Sequence, residues 1–112
     1  MIDWKALDKE EQISQIIDAS NSKAQIILKH STTCSISGMV KSRLERSEIV
    51  ENADYYLLDL LSFRAVSNQV ADSFGVHHES PQVLVIAKGK CIYHESHYGI
   101  MADDILASVA AI

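Results

Sequence analysis

Cys34 stands where a short apolar run gives way to an amphipathic one. Gln25 to Lys29 (QIILK) is a β-branched run that ends in the polar stretch His30-Ser31-Thr32-Thr33, the pattern of a buried strand feeding a loop. Beyond Cys34, Ile36, Val40 and Leu44 recur at i, i+4 and i+8, which predicts a helix. Thr33 is the expected N-cap, placing Cys34 at the first helical position. A cysteine there sits at the positive end of the helix dipole, among amides with no intrahelical partner. Both favour the thiolate, the form that attacks disulfides. Lys29 and His30, just upstream, add positive potential, and His30 reads equally as an orienting group or a proton carrier.

Three residues after Cys34, where a dithiol oxidoreductase has its second cysteine, the chain has Ser37, so the motif is C-x-x-S. With no resolving thiol on the loop, a mixed disulfide at Cys34 must await an outside thiol, and the chemistry is monothiol. Cys91 is far away in sequence and alternates with Ile92 in a short apolar run, which reads as a small buried hydrophobe; a distant resolving thiol is the alternative. Pro81, the only proline, follows Ser80 at the entry to a strand. A cis bond there would turn the Ser80 backbone toward Cys34 and offer main-chain hydrogen bonds to the peptide-like arm of a bound thiol.

These groups need a scaffold, and the pattern supplies one. Asp8 to Glu11 has capping-box spacing and introduces a first helix through Ile13, Ile16 and Ile17. Tyr55 to Leu60 reads as a buried strand, and Ser62 as the cap of a helix carrying Val66, Val70 and Phe74 that Gly75 stops. Gln82 to Ala87 and Lys90 to Glu95 flank Lys88-Gly89 as a hairpin, and Met101 to Ile112 closes as a helix. The order is α-β-α-β-α-β-β-α, an α/β fold with a central four-stranded mixed sheet flanked by helices. Residues 1–112 are read as a single domain.

Composition narrows the function classes. Apolar residues make up 47% and charged residues 22%, as in an ordinary globular protein. A formal net charge of -5 without a Lys/Arg stripe gives no field for nucleic acid. No apolar run approaches the ~20 residues of a membrane span, and the acidic start is unlike a secretory signal, so a cytoplasmic protein with reduced thiols is expected. His77, His78, His94 and His97 border loops at spacings that specify no metal site, and none is expected.

The segment Lys29-His30-Ser31-Thr32-Thr33-Cys34-Ser35-Ile36-Ser37 resembles the K-H-S-T-x-C-P-I-S segment of the monothiol bacilliredoxins, thioredoxin-like proteins of the bacillithiol system. His78-Glu79-Ser80-Pro81-Gln82 is similar to that family's H-E-S-P-Q segment. The resemblance implies a thioredoxin-like fold, Cys34 as the redox cysteine and Pro81 as a cis-proline. It also implies removal of bacillithiol from mixed disulfides on S-thiolated proteins. The small thiol would then be a co-substrate, with no resident cofactor, and the protein a monomer or weak dimer. Arg64, at the head of the third helix, has two readings: a cation that meets the malate carboxylates of bacillithiol, or, as is usual for such a residue, solvated surface. Ser35 departs from the family's proline and puts a hydroxyl beside the thiol. One rival reading shares the lone thiolate, an iron–sulfur cluster carrier using Cys34 of two subunits with two small thiols; another is a non-catalytic thioredoxin-like adaptor that kept the fold but lost rate, with Ser35 as the sign.

Overall fold

The computed structural model describes residues 1–112. Its elements are β1 (Trp4–Ala6), α1 (Glu11–Ala19), β2 (Ala24–His30), α2 (Ser35–Glu45), β3 (Ala53–Asp59), α3 (Arg64–Phe74), β4 (Gln82–Ala87), β5 (Lys90–Ser96), a 3-10 turn (His97–Gly99) and α4 (Ala102–Ala110). The sheet has the order β1-β3-β2-β4-β5, with β1, β3 and β2 parallel and β4 and β5 antiparallel to their neighbours. It therefore has five strands where the sequence pattern predicts four. The addition is Trp4–Ala6, whose three residues are too few to show a period and are recruited by pairing with Tyr55–Leu57.

Side chains alternate across the sheet and divide the core in two. On one face Ile26, Leu28, Tyr55, Val83 and Val85 meet Val40 and Leu44 of α2 and Ile105 of α4. On the other, Ile27, Leu58, Leu84 and Ile86 meet Ile13 and Ile16 of α1 and Val66 and Val70 of α3. Helices α2 and α3 thus leave adjacent parallel strands toward opposite faces. In open α/β sheets the crevice outside the carboxyl ends of such strands is where ligands bind.

Three helix starts differ from the sequence reading. Helix α1 begins after Glu10 with no side-chain cap, because Gln12 takes the capping role: its Oε1 accepts from the Asp8 and Lys9 amides, both at 2.9 Å. Phe63 precedes α3, while Ser62 donates to Asp59 at 3.1 Å instead of capping. Helix α2 starts after Cys34 itself, and the Thr33 hydroxyl pairs with Ser31 at 3.2 Å. At Thr33 and Ser62 a neighbouring polar group captures the capping side chain first, and at Asp8 it is the backbone amide that is taken. Gly75 does end α3, in the left-handed conformation (φ 65°).

Away from the Cys34 end, Asp54 ties three segments together. Its carboxylate accepts from Lys5 at 2.9 Å, Lys23 at 3.1 Å and Gln25 at 2.8 Å. Burial works against its charge, but the hydrogen bonds from Lys5, Gln25 and Lys23 outweigh that cost and hold its pKa down at about 2. A carboxylate with a depressed folded-state pKa stabilises the fold above the unfolded-state pKa, and that stability is lost as pH falls through the folded value. Asp54→Asn is expected to cost about 1–2 kcal/mol at pH 7, allowing for the exposure of both lysines. In urea titrations the gap from wild type should close between pH 4 and about 2; a constant gap would show that the charge contributes nothing.

Candidate active site

Strand β2 lies between β3 and β4, and all seven of its residues are buried, Gln25, Lys29 and His30 included. The loops at its carboxyl end are gathered by backbone bonds. Leu60 N donates to His30 O at 3.1 Å, bringing the residues after β3 beside the Cys34 loop. Gln82 pairs with Lys29, which sets Ser80 and Pro81 against the same loop, and His97 N donates to Pro81 O at 2.9 Å. The Ser80–Pro81 peptide bond is cis. Pro81 is buried and Ser80 half-buried.

Cys34 is a half-exposed free cysteine in the N-cap position of α2, with extended backbone angles (φ -103°, ψ 120°). Its amide donates to Ser31 O at 3.3 Å, and its carbonyl accepts from Gly38 N at 3.1 Å. No acidic side chain stands in the first turn of the helix to oppose a thiolate. Thr33 and Ser35 flank it, both exposed. Cys91 is half-buried on β5; its Sγ lies 3.3 Å from Tyr93 O, and burial pushes its thiol pKa up.

Ser37, the C-x-x-S serine, is fully buried. Its Oγ accepts from the Ser31 amide at 3.0 Å and lies 2.6 Å from His30 Nδ1. The position that a dithiol protein gives to a second sulfur is here a pin between the helix and the loop that carries Cys34. Burial is the first cause lowering the His30 pKa; Lys41 adds to the effect, while Asp59 and Glu45 oppose it. A neutral imidazole bonded to Ser37 orients the loop.

Lys29 points to the opposite face from His30. Its ammonium is buried, donating to Ser67 O at 3.1 Å and bonding His78 Nδ1 at 3.2 Å, and it makes no ion pair. Burial alone lowers its pKa to about 8. Of the members of this end, His78 enters the sequence reading only as a metal-ligand candidate and Ser67 does not enter it at all. The one available signal was His78's place in the segment running into Pro81. His77 and His97 flank Glu79 at 3.9 and 3.6 Å, and no group of three His, Cys, Asp or Glu side chains converges as a metal site would require.

Two substitutions probe this geometry. A buried ammonium with only neutral partners is unfavourable, so Lys29→Met is expected to be at least as stable as wild type at pH 7. A lysine with a lowered folded-state pKa destabilises the fold while charged, and that penalty is relieved as the proton leaves the folded form. Between pH about 8 and 10.5, wild type should therefore gain on Lys29→Met by up to about 3 kcal/mol, read from urea titrations; no relative change would contradict the buried charge. Ser35 is the first residue of α2 and follows an extended residue, the setting in which proline fits both neighbours. Ser35→Pro is expected to stabilise by about 0.5–1 kcal/mol, and a loss of stability on thermal unfolding would contradict this placement.

Residues 5–105 match the family model described as monothiol bacilliredoxin BrxC. Among solved structures, one assigned as an oxidoreductase with a thioredoxin fold is 28% identical, with a TM-score of 0.77 over 92% of this chain and 90% of that one. The thioredoxin of Malassezia sympodialis is 13% identical (TM-score 0.74, 99% and 91% covered), and that of Fasciola hepatica 10% identical (TM-score 0.73, 96% and 97% covered). The last two show the fold alone.

Proposed function

This chain belongs to the monothiol bacilliredoxin family, and from that premise we propose that it strips a low-molecular-weight thiol, bacillithiol, from mixed disulfides on other proteins, with Cys34 as nucleophile. Membership and fold together make it a thiol oxidoreductase-type protein with thiol-bearing partners. The observation that carries the finer reading is the pairing of a half-exposed Cys34 at a helix start with a buried serine, not a thiol, three residues on.

In the first step the Cys34 thiolate attacks the small-thiol sulfur of a protein mixed disulfide. A new S–S bond forms to Cys34, the old one breaks, and the protein thiolate leaves to take a proton from solvent. In the second, another molecule of the small thiol, as its thiolate, attacks that same sulfur. The symmetric small-molecule disulfide is released and the Cys34 thiolate restored, so no resident cofactor is required. Ser37 keeps the loop in register through Ser31 and His30 and takes no part in the exchange. The main chain at Ser80, next to the Cys34 loop through the pairing of Gln82 with Lys29, is the stretch we assign to the peptide-like arm of the small thiol.

The test is intact-mass analysis of the reduced protein mixed with a bacillithiolated substrate and, separately, a glutathionylated one. Wild type is expected to gain one bacillithiol adduct on Cys34, and Cys34→Ser none. An adduct on Cys34→Ser, or unchanged deprotection of the substrate by that variant, would overturn the reading.

A further inference from the structure

The Lys29 ammonium has donors only, so the ring nitrogen it bonds at 3.2 Å, Nδ1 of His78, must accept. That places the His78 proton on Nε2. Ser67, whose Oγ lies 3.3 Å from the same Nδ1, is able to donate alongside, and its carbonyl holds the ammonium at 3.1 Å. A buried lysine here fixes the tautomer of a half-exposed histidine and polarises its Nε2–H bond. The ring's surroundings are mainly cationic. After burial, Lys29 and then Arg64 disfavour its protonated form, as does His77, with Glu79 alone opposing. Glu79 also lies near His77 and His97. Arg64 is exposed and forms neither an ion pair nor a hydrogen bond. As the first residue of α3 it lies at the carboxyl end of β3, the same end of the sheet as Cys34.

We propose that His78 Nε2–H and Arg64, backed by the buried Lys29 charge, form the subsite that holds a carboxylate arm of the small thiol while its sulfur reacts at Cys34. Lys29 is a positioning residue, acting through His78, and the subsite is a specificity device. Desolvating a cation without a protein counter-charge is unfavourable in the empty protein and is offset when a carboxylate arrives. The proposal rests on the exchange reaction above for the identity of its ligand, whereas the anion site is testable without it.

The first measurement is a titration of the 15N-labelled wild-type protein with malate at constant ionic strength, with malate dimethyl ester as the neutral control. The His78 Nε2 signal should carry the proton and shift saturably with malate only. Lys29→Met should lose the fixed tautomer, and Arg64→Gln should weaken the response at least fivefold. A His78 ring protonated on Nδ1, or one that ignores malate, would overturn the proposal. The second measurement compares kcat/KM for a protein carrying bacillithiol with that for the same protein carrying mercaptoethanol, which has no carboxylate. Wild type should prefer the bacillithiol disulfide, and Arg64→Gln should reduce that preference about tenfold, through KM. An unchanged preference would overturn the assignment of the ligand. A wild-type protein that binds malate at His78 yet cleaves neither disulfide would support the anion site while refuting the exchange reaction.

Discussion

Because β2 is covered on both faces, its polar groups are driven to partners inside the protein, and the one buried side-chain atom of the strand left without a partner is Gln25 Oε1. That constraint organises the chemical end of the molecule. His30 turns to the face shared with α2 and is met by Ser37, which also takes the Ser31 amide. Lys29 turns to the other face and is met by the Ser67 carbonyl and the His78 ring. Two successive residues thereby anchor the start of α2, the first turn of α3 and the segment leading into Pro81. The cysteine loop is held by what lies beneath it more than by contacts of its own.

Much of this architecture is written locally. Cys34 at a strand-to-helix junction, the Lys88-Gly89 hairpin and the stop at Gly75 follow from period and turn chemistry, which act over a few residues. The missed strand is the opposite case: Trp4–Ala6 is a strand because Tyr55–Leu57 offers an unpaired edge, and nothing within three residues encodes that. The helix starts fail for a related reason. Asp8, Thr33 and Ser62 all have capping chemistry, but each position depends on which polar neighbour arrives first, and Gln12, Ser31 and Asp59 arrive from outside the capping pattern.

At the site, sequence named the residues and left their directions open. Lys29 and His30 read as two cations beside a thiolate, but period two sends them to opposite faces of the sheet. Burial also favours the neutral form of each. Ser37 reads as an absence, the missing second sulfur. Its buried oxygen is a positive feature, because it serves two partners at once.

A sulfur at position 37 would therefore be a poor replacement in two ways. A thiol is a weak hydrogen-bond donor and acceptor, so the Ser31 amide and the His30 ring would both be left underserved in a buried place. It would also be fully buried, where desolvation disfavours the thiolate that a resolving cysteine must supply. Monothiol chemistry in this chain is accordingly more than the loss of one atom type. The interior that fixes the loop is built around an oxygen, and restoring dithiol exchange would require a different partner for His30 as well as a second cysteine.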